Sequence, residues 1–372
     1  MTGLALRGFR NLGRQELVIP REGAALVGDN AQGKSSFLEA IYYLETFRSF
    51  RGARDDQLVS FDEPVFRVGG TVESGDETDA ISEITAAFAR DGKRKKVTVD
   101  GDEPDRLGDA IGRLAAVIFS PADIELVSGG PSERRRFLDI VLSLNEPGYL
   151  EALQEYRQVL SRRNASLKTN QPRAAVTAWN GGLVRSGARV IEARMTWIRE
   201  SVEAFSDCYD TISDEGGAEM TYRSSVTLDG AETLAEIEET FRLALEDSTE
   251  RERRTAVTVV GPHRDEVRLK LEGEGNGLDL RAYGSGGQRR TAALALRLVE
   301  ARTIRRRRGT EPLMLLDDVF AELDAGRSER VLTLMDSAEV GQVLLTAPKP
   351  SDVRVRKDVL PRWRIHAGKI ET

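Results

Sequence analysis

The sequence has little of what disulfide, zinc and membrane proteins depend on. Its 372 residues include one cysteine, Cys208, and two histidines, His263 and His366. One cysteine cannot form an internal disulfide, and so few thiol and imidazole groups exclude a zinc site built from them. No apolar run reaches the roughly 18 residues that a membrane-spanning helix needs. We therefore expect a cytoplasmic protein that folds in a reducing compartment.

A positive net charge is also missing, because the formal net charge is −7. Taken alone, this value argues against a nucleic-acid partner, since phosphate backbones attract basic surfaces. The charge is nevertheless segregated along the chain. Residues 289–308 contain eight arginines and one glutamate, and residues 131–200 contain 12 basic and seven acidic residues. Residues 203–252, with three basic and 15 acidic residues, mask these basic segments in the total.

Hydrophobic patterning divides the chain into three segments. Within residues 1–125, short apolar runs between polar turns predict strands, with one helix at residues 34–47. Helical spacing dominates residues 126–250. Residues 251–372 contain four apolar runs that predict strands, at 255–261, 267–273, 313–316 and 342–346. We therefore expect an α/β domain that is split in sequence around an inserted, mainly helical domain.

The strongest local motif is a glycine-rich phosphate loop. Residues 28–35 read G-D-N-A-Q-G-K-S and match G-x-x-x-x-G-K-[ST], between a predicted strand and a predicted helix. Glycines let backbone N–H groups surround phosphates, Lys34 neutralises phosphate charge, and the Ser35 hydroxyl holds Mg²⁺. The loop therefore predicts ATP and Mg²⁺ as ligands. The predicted nucleotide-binding residues are Gly28, Asp29, Asn30, Ala31, Gln32, Gly33, Lys34, Ser35 and Ser36.

An acidic pair supplies the metal partner that such a loop needs. Residues 313–316, L-M-L-L, have the continuous apolar character of a buried parallel strand. Asp317 and Asp318 follow at its carboxyl end, where α/β proteins bind ligands. We expect Asp317 to hold Mg²⁺ together with Ser35, and Asp318 to orient the attacking water. Lys34, Asp317 and Asp318 are thus the predicted catalytic residues.

A second candidate anion site begins a predicted helix at residues 285–288, S-G-G-Q, because small residues there leave backbone N–H groups accessible. This helix start lies between the phosphate loop and the Asp317 strand along the chain. In that order it resembles the signature motif of ABC-type ATPases, with the residues Ser285, Gly286, Gly287 and Gln288. Asp324 resembles the D-loop residue that follows the acidic strand in the same ATPases. The resemblance implies an ABC-type ATPase head domain in which the signature motif of one subunit completes the nucleotide site of its partner.

Further blocks resemble one branch of these ATPases, the RecF family. Asn30 gives the phosphate loop the form typical of SMC and RecF proteins. Residues 6–12 (L-R-G-F-R-N-L), residues 119–139 with F-S-P and G-G-P-S-E-R-R-R-F-L-D, and residues 261–265 (G-P-H-R-D) resemble RecF blocks. The resemblance extends from residue 6 to residue 324, and so covers most of the chain.

This resemblance implies an ATP-dependent homodimer that clamps DNA at junctions of single and double strands. It also implies recombination mediator partners of the RecR and RecO type, and support for recombinase loading at gaps, replication restart and the SOS response. Hydrolysis is expected to be weak, stimulated by DNA, and to act as a conformational switch. The arginine-rich segments provide the predicted DNA contacts: Arg134, Arg135, Arg306 and Arg307.

Several alternatives stay open from the sequence alone. Solvated helix faces explain the arginine runs as well as DNA contact does, and His263 either stabilises its turn or lies near the nucleotide or DNA. The chain could also be an ATPase subunit of a transporter, or an ATP-binding scaffold without turnover. Thr346 stands where transporter ATPases have a switch histidine, which argues against the first. An SMC-type tether is excluded, because it needs hundreds of coiled-coil residues.

Overall fold

Both ends of the chain contribute to the same folding unit. The computed structural model describes residues 1–73, 81–213, 216–273, 277–336, 341–350, 353 and 360–372. Unit 1 contains Met1–Asp123 together with Leu296–Thr372, and unit 2 contains Ile124–Ala295. The sequence-based boundaries at residues 125 and 250 stay a prediction, and the contacts group residues 251–295 with the helical segment. Among the described residues, no helix combines the length and apolar character needed to cross a bilayer.

Strands and helices alternate in unit 1, whereas helices dominate unit 2. The strands are β1 (Gly3–Arg7), β2 (Gln15–Val18), β3 (Gly23–Val27), β4 (Val65–Glu73), β5 (Ile81–Ala89), β6 (Arg94–Val99), β7 (Ala116–Phe119), β8 (Ala218–Arg223), β9 (Glu266–Leu271), β10 (Leu278–Asp279), β11 (Leu313–Leu316), β12 (Val343–Ala347), β13 (Arg362–His366) and β14 (Lys369–Glu371). The α-helices are α1 (Lys34–Thr46), α2 (Asp55–Leu58), α3 (Leu107–Ala110), α4 (Glu125–Ser128), α5 (Pro131–Asn145), α6 (Tyr149–Lys168), α7 (Arg173–Thr177), α8 (Asn180–Ile212), α9 (Leu234–Asp247), α10 (Thr249–Thr255), α11 (Leu280–Tyr283), α12 (Gly286–Arg308) and α13 (Ala325–Asp336).

A largely parallel sheet forms the centre of unit 1, in the order β14-β13-β3-β12-β11-β7. Strand β3 pairs in parallel with β12 on one side and with β13 on the other. Strand β11 pairs in parallel with β12 and β7. Every residue of β3 and β11 is buried, which explains their continuous apolar sequences. The carboxyl ends of β3, β11 and β12 therefore meet at one edge of the sheet.

A second, antiparallel sheet in the order β2-β1-β4-β5-β6 completes unit 1. Helix α1 shares one hydrophobic core with both sheets, and eleven of its 13 residues are buried. The Phe9, Tyr43 and Phe66 rings meet edge to face within this core, with centroids 5.2–6.1 Å apart. Because α1 is enclosed by apolar side chains, its first turn is held firmly at the sheet edge.

Unit 2 combines long helices with a small antiparallel sheet in the order β10-β9-β8. Helices α6, α8 and α9 pack around one core that includes Tyr156, Leu183, Ile191, Ile237 and Phe241. This part of the chain corresponds to the mainly helical segment expected from the spacing of apolar residues. The sheet adds strands to it because β8 and β9 pair along six residues each.

The strand predicted at residues 255–261 is wrong. Helix α10 ends at Thr255, and an irregular segment leads from there to β9. Side chains replace the strand partner: the N–H of Thr258 donates to Asn164 Oδ1 at 2.8 Å, and the N–H of Gly261 donates to Ser225 Oγ at 2.8 Å. Buried backbone groups need partners, and here polar side chains supply them in place of a neighbouring strand.

Candidate nucleotide-binding site

The phosphate loop follows β3 directly and leads into α1, and glycine is required at two of its positions. Gly33 has a φ of +113°, and a Cβ there would lie 3.0 Å from a Leu12 methyl carbon. A Cβ at Gly28 would lie 2.5 Å from the carbonyl oxygen of Ile365. The loop therefore keeps its backbone N–H groups at the amino end of a helix, which is a suitable arrangement for phosphate oxygens.

The middle of the loop is anchored by residues from both ends of the chain. The Gln32 carbonyl accepts a hydrogen bond from Gly368 N at 3.0 Å, and its side chain accepts one from Ala367 N at 2.6 Å. Asn11 Nδ2 donates to the Ala31 carbonyl at 3.4 Å. These contacts hold the loop at Ala31, whose φ of +64° is unusual for a residue with a side chain. The sequence motif did not indicate any of these anchors.

Lys34 is enclosed by the loop that it belongs to. Its side chain is 5% exposed, and Nζ donates to the carbonyl oxygens of Gly28 at 2.9 Å and Asp29 at 3.2 Å. The same Nζ lies 3.9 Å from Asp318 Oδ2. Lys34 thus places a positive charge between the loop and the acidic pair, where phosphate charge needs neutralising.

Asp317 and Ser35 are far apart in the sequence but in contact in the structure. Ser35 Oγ donates to Asp317 Oδ1 at 2.8 Å, because both residues lie at the carboxyl edge of the parallel sheet. Burial raises the pKa of the Asp317 carboxyl, while hydrogen bonds from Ser35 and Thr346 and the nearby Arg51 guanidinium oppose that shift. The carboxylate is therefore held among donors in a nearly buried position.

Thr346 connects the two aspartates, which the sequence did not predict. Its hydroxyl is at the end of β12 and donates to Asp317 Oδ1 at 3.0 Å. Thr346 Oγ1 also accepts a hydrogen bond from the backbone N–H of Asp318 at 3.0 Å. Asp318 has a φ of +49°, in the left-handed region, so this hydrogen bond supports a backbone conformation that side chains disfavour. A threonine at the end of a neighbouring parallel strand is the sequence signal that could have indicated this role.

Another buried group fixes the face of α1 behind the loop. Glu39 is fully buried, and it accepts two hydrogen bonds from Arg10, through Nε and Nη2, at 2.9 Å each. Ser49 Oγ also donates to Glu39, and Arg51 Nη1 lies 3.9 Å from its carboxylate. Arg10 belongs to the amino-terminal block noted in the sequence, and its structural part is to hold α1 through this ion pair.

The oxygen donors at this edge fit Mg²⁺. The Ser35 hydroxyl and the Asp317 carboxylate meet at one point, and Asp318 lies next to them. In the described part of the chain, no group of three or more histidines, cysteines or carboxylates could form an all-protein metal cage. Mg²⁺ typically takes one or two protein carboxylates and completes its shell with phosphates and water. The donor set is therefore appropriate for a metal that binds together with a nucleotide.

The signature-like residues form an exposed helix start in unit 2. Ser285 Oγ accepts the N–H of Gln288 at 3.1 Å, and Gln288 Oε1 accepts the N–H of Ser285 at 2.8 Å, as in a capping box. Ser285 and Gly286 are exposed, and Gly287 follows Gly286 in the first turn of α12. In unit 1, Asp324 Oδ1 accepts the N–H of Arg327 at 2.8 Å and so caps α13.

The four arginines predicted to contact DNA differ in exposure. Burial contradicts a DNA contact at Arg134, which is 4% exposed, donates to backbone carbonyls and pairs with Glu266 at 2.7 Å. Helical periodicity places Arg134 on the inner face of α5, and a run of three consecutive arginines does not indicate which of them is buried. Arg135 is half-buried and donates to the Asp265 carbonyl at 2.7 Å. Arg306 and Arg307 are exposed at the end of α12, so DNA contact at Arg135, Arg306 and Arg307 stays a prediction.

Comparison with known proteins places this site in a family. Residues 1–362 match the family model of the RecF/RecN/SMC N-terminal domain. The Smc head bound to the C-winged helix domain of ScpA covers the whole chain with a TM-score of 0.55 at 18% identity, and so shares the fold. The solved RecF-ATP structure of the RecFOR pathway is much more similar, with a TM-score of 0.89, 33% identity, and coverage of 100% of this chain and 96% of that one.

Curated relatives are similar over most of their length. The DNA replication and repair protein RecF of Salinibacter ruber is 36% identical over 93% of this chain and 84% of its own. The RecF of Synechococcus sp. strain JA-2-3B'a(2-13) is 38% identical over 92% of each chain. Fold and site therefore define an ATPase head domain of the RecF/RecN/SMC class. Within that class, the chain belongs to the RecF family of DNA replication and repair proteins. The predicted α/β head-domain fold is confirmed.

Proposed function

We propose that the protein is a DNA-repair ATPase of the RecF type that binds ATP and Mg²⁺ at the phosphate loop. The observation that carries this proposal lies at the carboxyl edge of the parallel sheet, where Ser35 contacts Asp317 and Lys34 lies beside Asp318. Residues 28–36 would surround the phosphates with backbone N–H groups. The similar RecF-ATP structure, whose name includes the nucleotide, supports this choice of ligand.

The side chains of the site divide the work of hydrolysis among them. Lys34 neutralises the β- and γ-phosphates, and Ser35 and Asp317 hold Mg²⁺, which when bound stabilises the charge that develops on the phosphates. Asp318 accepts a hydrogen bond from the attacking water and so orients it. Thr346 fixes the positions of both aspartates. Transporter ATPases have a longer glutamate at the position of Asp318 and a charged histidine at the position of Thr346. The two substitutions here are consistent with slow ATP hydrolysis.

A second copy of the chain completes the nucleotide site in this proposal. The helix start at residues 285–288 has its capping box between Ser285 and Gln288, and the backbone N–H groups of Gly286 and Gly287, together with Ser285, can bind the γ-phosphate held by the other subunit. Asp324, which is exposed, lies in the segment that would face the partner. ATP would therefore act as the bridge that creates the homodimer, and hydrolysis would release it.

DNA is the proposed substrate of this dimer, at junctions of single and double strands. The names of the relatives, DNA replication and repair protein RecF, and the RecFOR pathway of the similar structures support this assignment. By the same similarity, RecO- and RecR-type mediators are the proposed partners in recombinase loading, replication restart and the SOS response in the cytoplasm. Weak ATPase activity stimulated by DNA would switch the clamp. The family match leaves a transporter subunit without support.

Sedimentation with ATP tests the shared site. The Ser285→Arg variant should bind ATP but stay monomeric, because a large cation occupies the place of the γ-phosphate. Ser161→Arg, the same change at an exposed serine of α6, is the matched control and should dimerise like the wild type. Normal ATP-driven dimers of Ser285→Arg would refute the shared site.

ATPase rates test the switch. Wild type should hydrolyse ATP slowly and faster with DNA, whereas Lys34→Met should lose turnover because the phosphate charge is no longer neutralised. Equal background rates in both proteins, with and without DNA, would instead indicate a scaffold that binds ATP without turnover.

A further inference from the structure

The segment Gly261–Asp265, G-P-H-R-D, is held rigidly inside unit 2, and we call it the GPHRD loop. Ser225 Oγ contacts Gly261 twice, donating to its carbonyl at 2.9 Å and accepting its N–H at 2.8 Å. Arg194 Nη1 donates to the Pro262 carbonyl at 2.7 Å. Asp265 accepts the N–H of Ser225 at 2.7 Å and the Tyr222 hydroxyl. A loop with this many fixed backbone groups is prepared to position whatever side chains it carries.

Positive charge around the GPHRD loop exceeds negative charge. The acidic side chains nearby are already engaged: Asp139 by Arg157 and Arg194, Glu252 by Arg163, Glu266 by Arg134, and Asp265 by Tyr222 and Ser225. Two arginines remain with carbonyl partners alone. Arg135 Nη1 donates to the Asp265 carbonyl at 2.7 Å, and Arg264 Nη2 donates to the Thr258 carbonyl at 3.4 Å. Over the residues that the structure describes, no carboxylate pairs with either guanidinium.

His263 lies next to both arginines and does not add to this charge. Its Nε2 is 3.0 Å from the Thr258 carbonyl and must donate to it, so Nδ1 accepts the Tyr156 hydroxyl at 2.6 Å. Burial lowers the pKa of His263 to about 4, with Arg264 and Arg135 contributing in the same direction. Both arginines are therefore close to one neutral imidazole. The carboxylates of Asp265, Asp139 and Glu266 offset part of the Arg135 charge, but none of them forms an ion pair with its guanidinium.

We propose that Arg135 and Arg264 form a phosphate-binding pair that contacts the DNA backbone at the GPHRD loop. Guanidinium groups match phosphate oxygens in geometry and stay charged. Arg264 is exposed and Arg135 is half-buried against a fixed carbonyl. The contact would be independent of base sequence, because it reaches only the backbone. This inference rests on the proposed DNA-binding function, and it assigns to that function a site outside the nucleotide loop and the arginine run of α12.

Fluorescence anisotropy across a salt series tests the pair, with the full chain, ATP and a labelled duplex that has a single-stranded end. Arg264→Ala should weaken binding severalfold and lower the slope of log affinity against log salt by about 0.9, the value for one lost phosphate contact. Arg135→Ala should do the same, whereas Arg135→Lys keeps the charge and should retain most of the slope. The matched control is Arg185→Ala, an exposed arginine of α8, which should bind like the wild type.

The outcomes separate the site from the function. If wild type binds DNA with a salt-dependent affinity and Arg264→Ala has the same slope, the phosphate-binding pair is refuted. If wild type shows no salt-dependent DNA binding, the proposed DNA function itself fails. If Arg264→Ala loses ATP binding while its DNA slope is unchanged, the pair serves a nucleotide and the inference is equally overturned. Melting curves of each variant establish that the compared proteins are folded.

Discussion

Removing the Thr346 hydroxyl should slow ATP hydrolysis without weakening ATP binding. Thr346→Val keeps the shape of a side chain that is 3% exposed but deletes the oxygen between the aspartates. Asp318 N then loses its acceptor at 3.0 Å, and Asp317 loses one of its two hydroxyl donors. Leaving this partly buried N–H without an acceptor costs about 1–3 kcal/mol, and Asp318 can relax from its left-handed backbone conformation.

If that free energy is lost from the transition state, kcat falls about 5- to 150-fold, because each factor of ten in rate corresponds to about 1.4 kcal/mol. KM should change little, since the phosphate loop and Lys34 are untouched. Steady-state ATPase assays measure both constants. Thr346→Ser should restore most of kcat, because it returns the oxygen that bridges Asp317 and Asp318.

Thr303→Val is the matched control for this prediction. Thr303 is equally buried, but its hydroxyl donates to the Val299 carbonyl within α12 at 2.8 Å and not to the acidic pair. A wild-type kcat in Thr346→Val would refute the reasoning. Equal losses in both valine variants would also refute it, because they would indicate a general effect of deleting a buried hydroxyl.

Two further predictions concern stability. Gly23→Ala should lower the free energy of unfolding by more than about 4 kcal/mol, because a Cβ would lie 1.7 Å from the Val343 carbonyl oxygen between β3 and β12. Gly92→Ala is the control, with a positive φ in open space, and should lower it by about 1 kcal/mol. Melting curves that rank the two variants alike would contradict this prediction. The free energy of unfolding of unit 2 should fall as the pH drops from 6.5 towards 4. In this range His263 becomes protonated in the unfolded chain but stays neutral in the folded chain, where its pKa is about 4. This difference lowers the stability by up to about 3 kcal/mol. Urea unfolding at pH 7 and pH 5 should show a flatter pH dependence for His263→Gln than for wild type, and identical dependences would rule this explanation out.

The phosphate loop and its acidic partner could be predicted because each is a local pattern attached to a strand. The loop motif, the apolar run before Asp317 and the rule that ligands bind at the carboxyl ends of parallel strands together indicate one edge of a sheet. These patterns predict from sequence alone that Ser35 and Asp317 lie close together. In the structure, Ser35 Oγ and Asp317 Oδ1 are 2.8 Å apart. Strands β3, β7 and β11 are predictable for the same reason, since fully buried strands have uniformly apolar sequences.

Features that depend on distant polar partners could not be predicted. Residues 255–261 have the β-branched composition of a strand, yet Asn164 and Ser225 satisfy their backbone groups and leave them irregular. Arg134 belongs to a basic run, yet its position on α5 faces inward to Glu266. Thr346 has no motif of its own, because its importance comes from lying beside Asp317 on the neighbouring strand. In each case the deciding interaction joins residues that no local window contains.

The position of β3 between β12 and β13 has a consequence for how the protein is made on the ribosome. The phosphate loop is complete in sequence at residue 36, yet both strands that flank its supporting strand begin only at Val343 and Arg362. Unit 2 is one continuous stretch and can fold while synthesis continues, whereas the nucleotide site must wait for nearly the whole chain. A product truncated before β12 would therefore retain every residue of the loop motif and lack the sheet that gives the loop its shape.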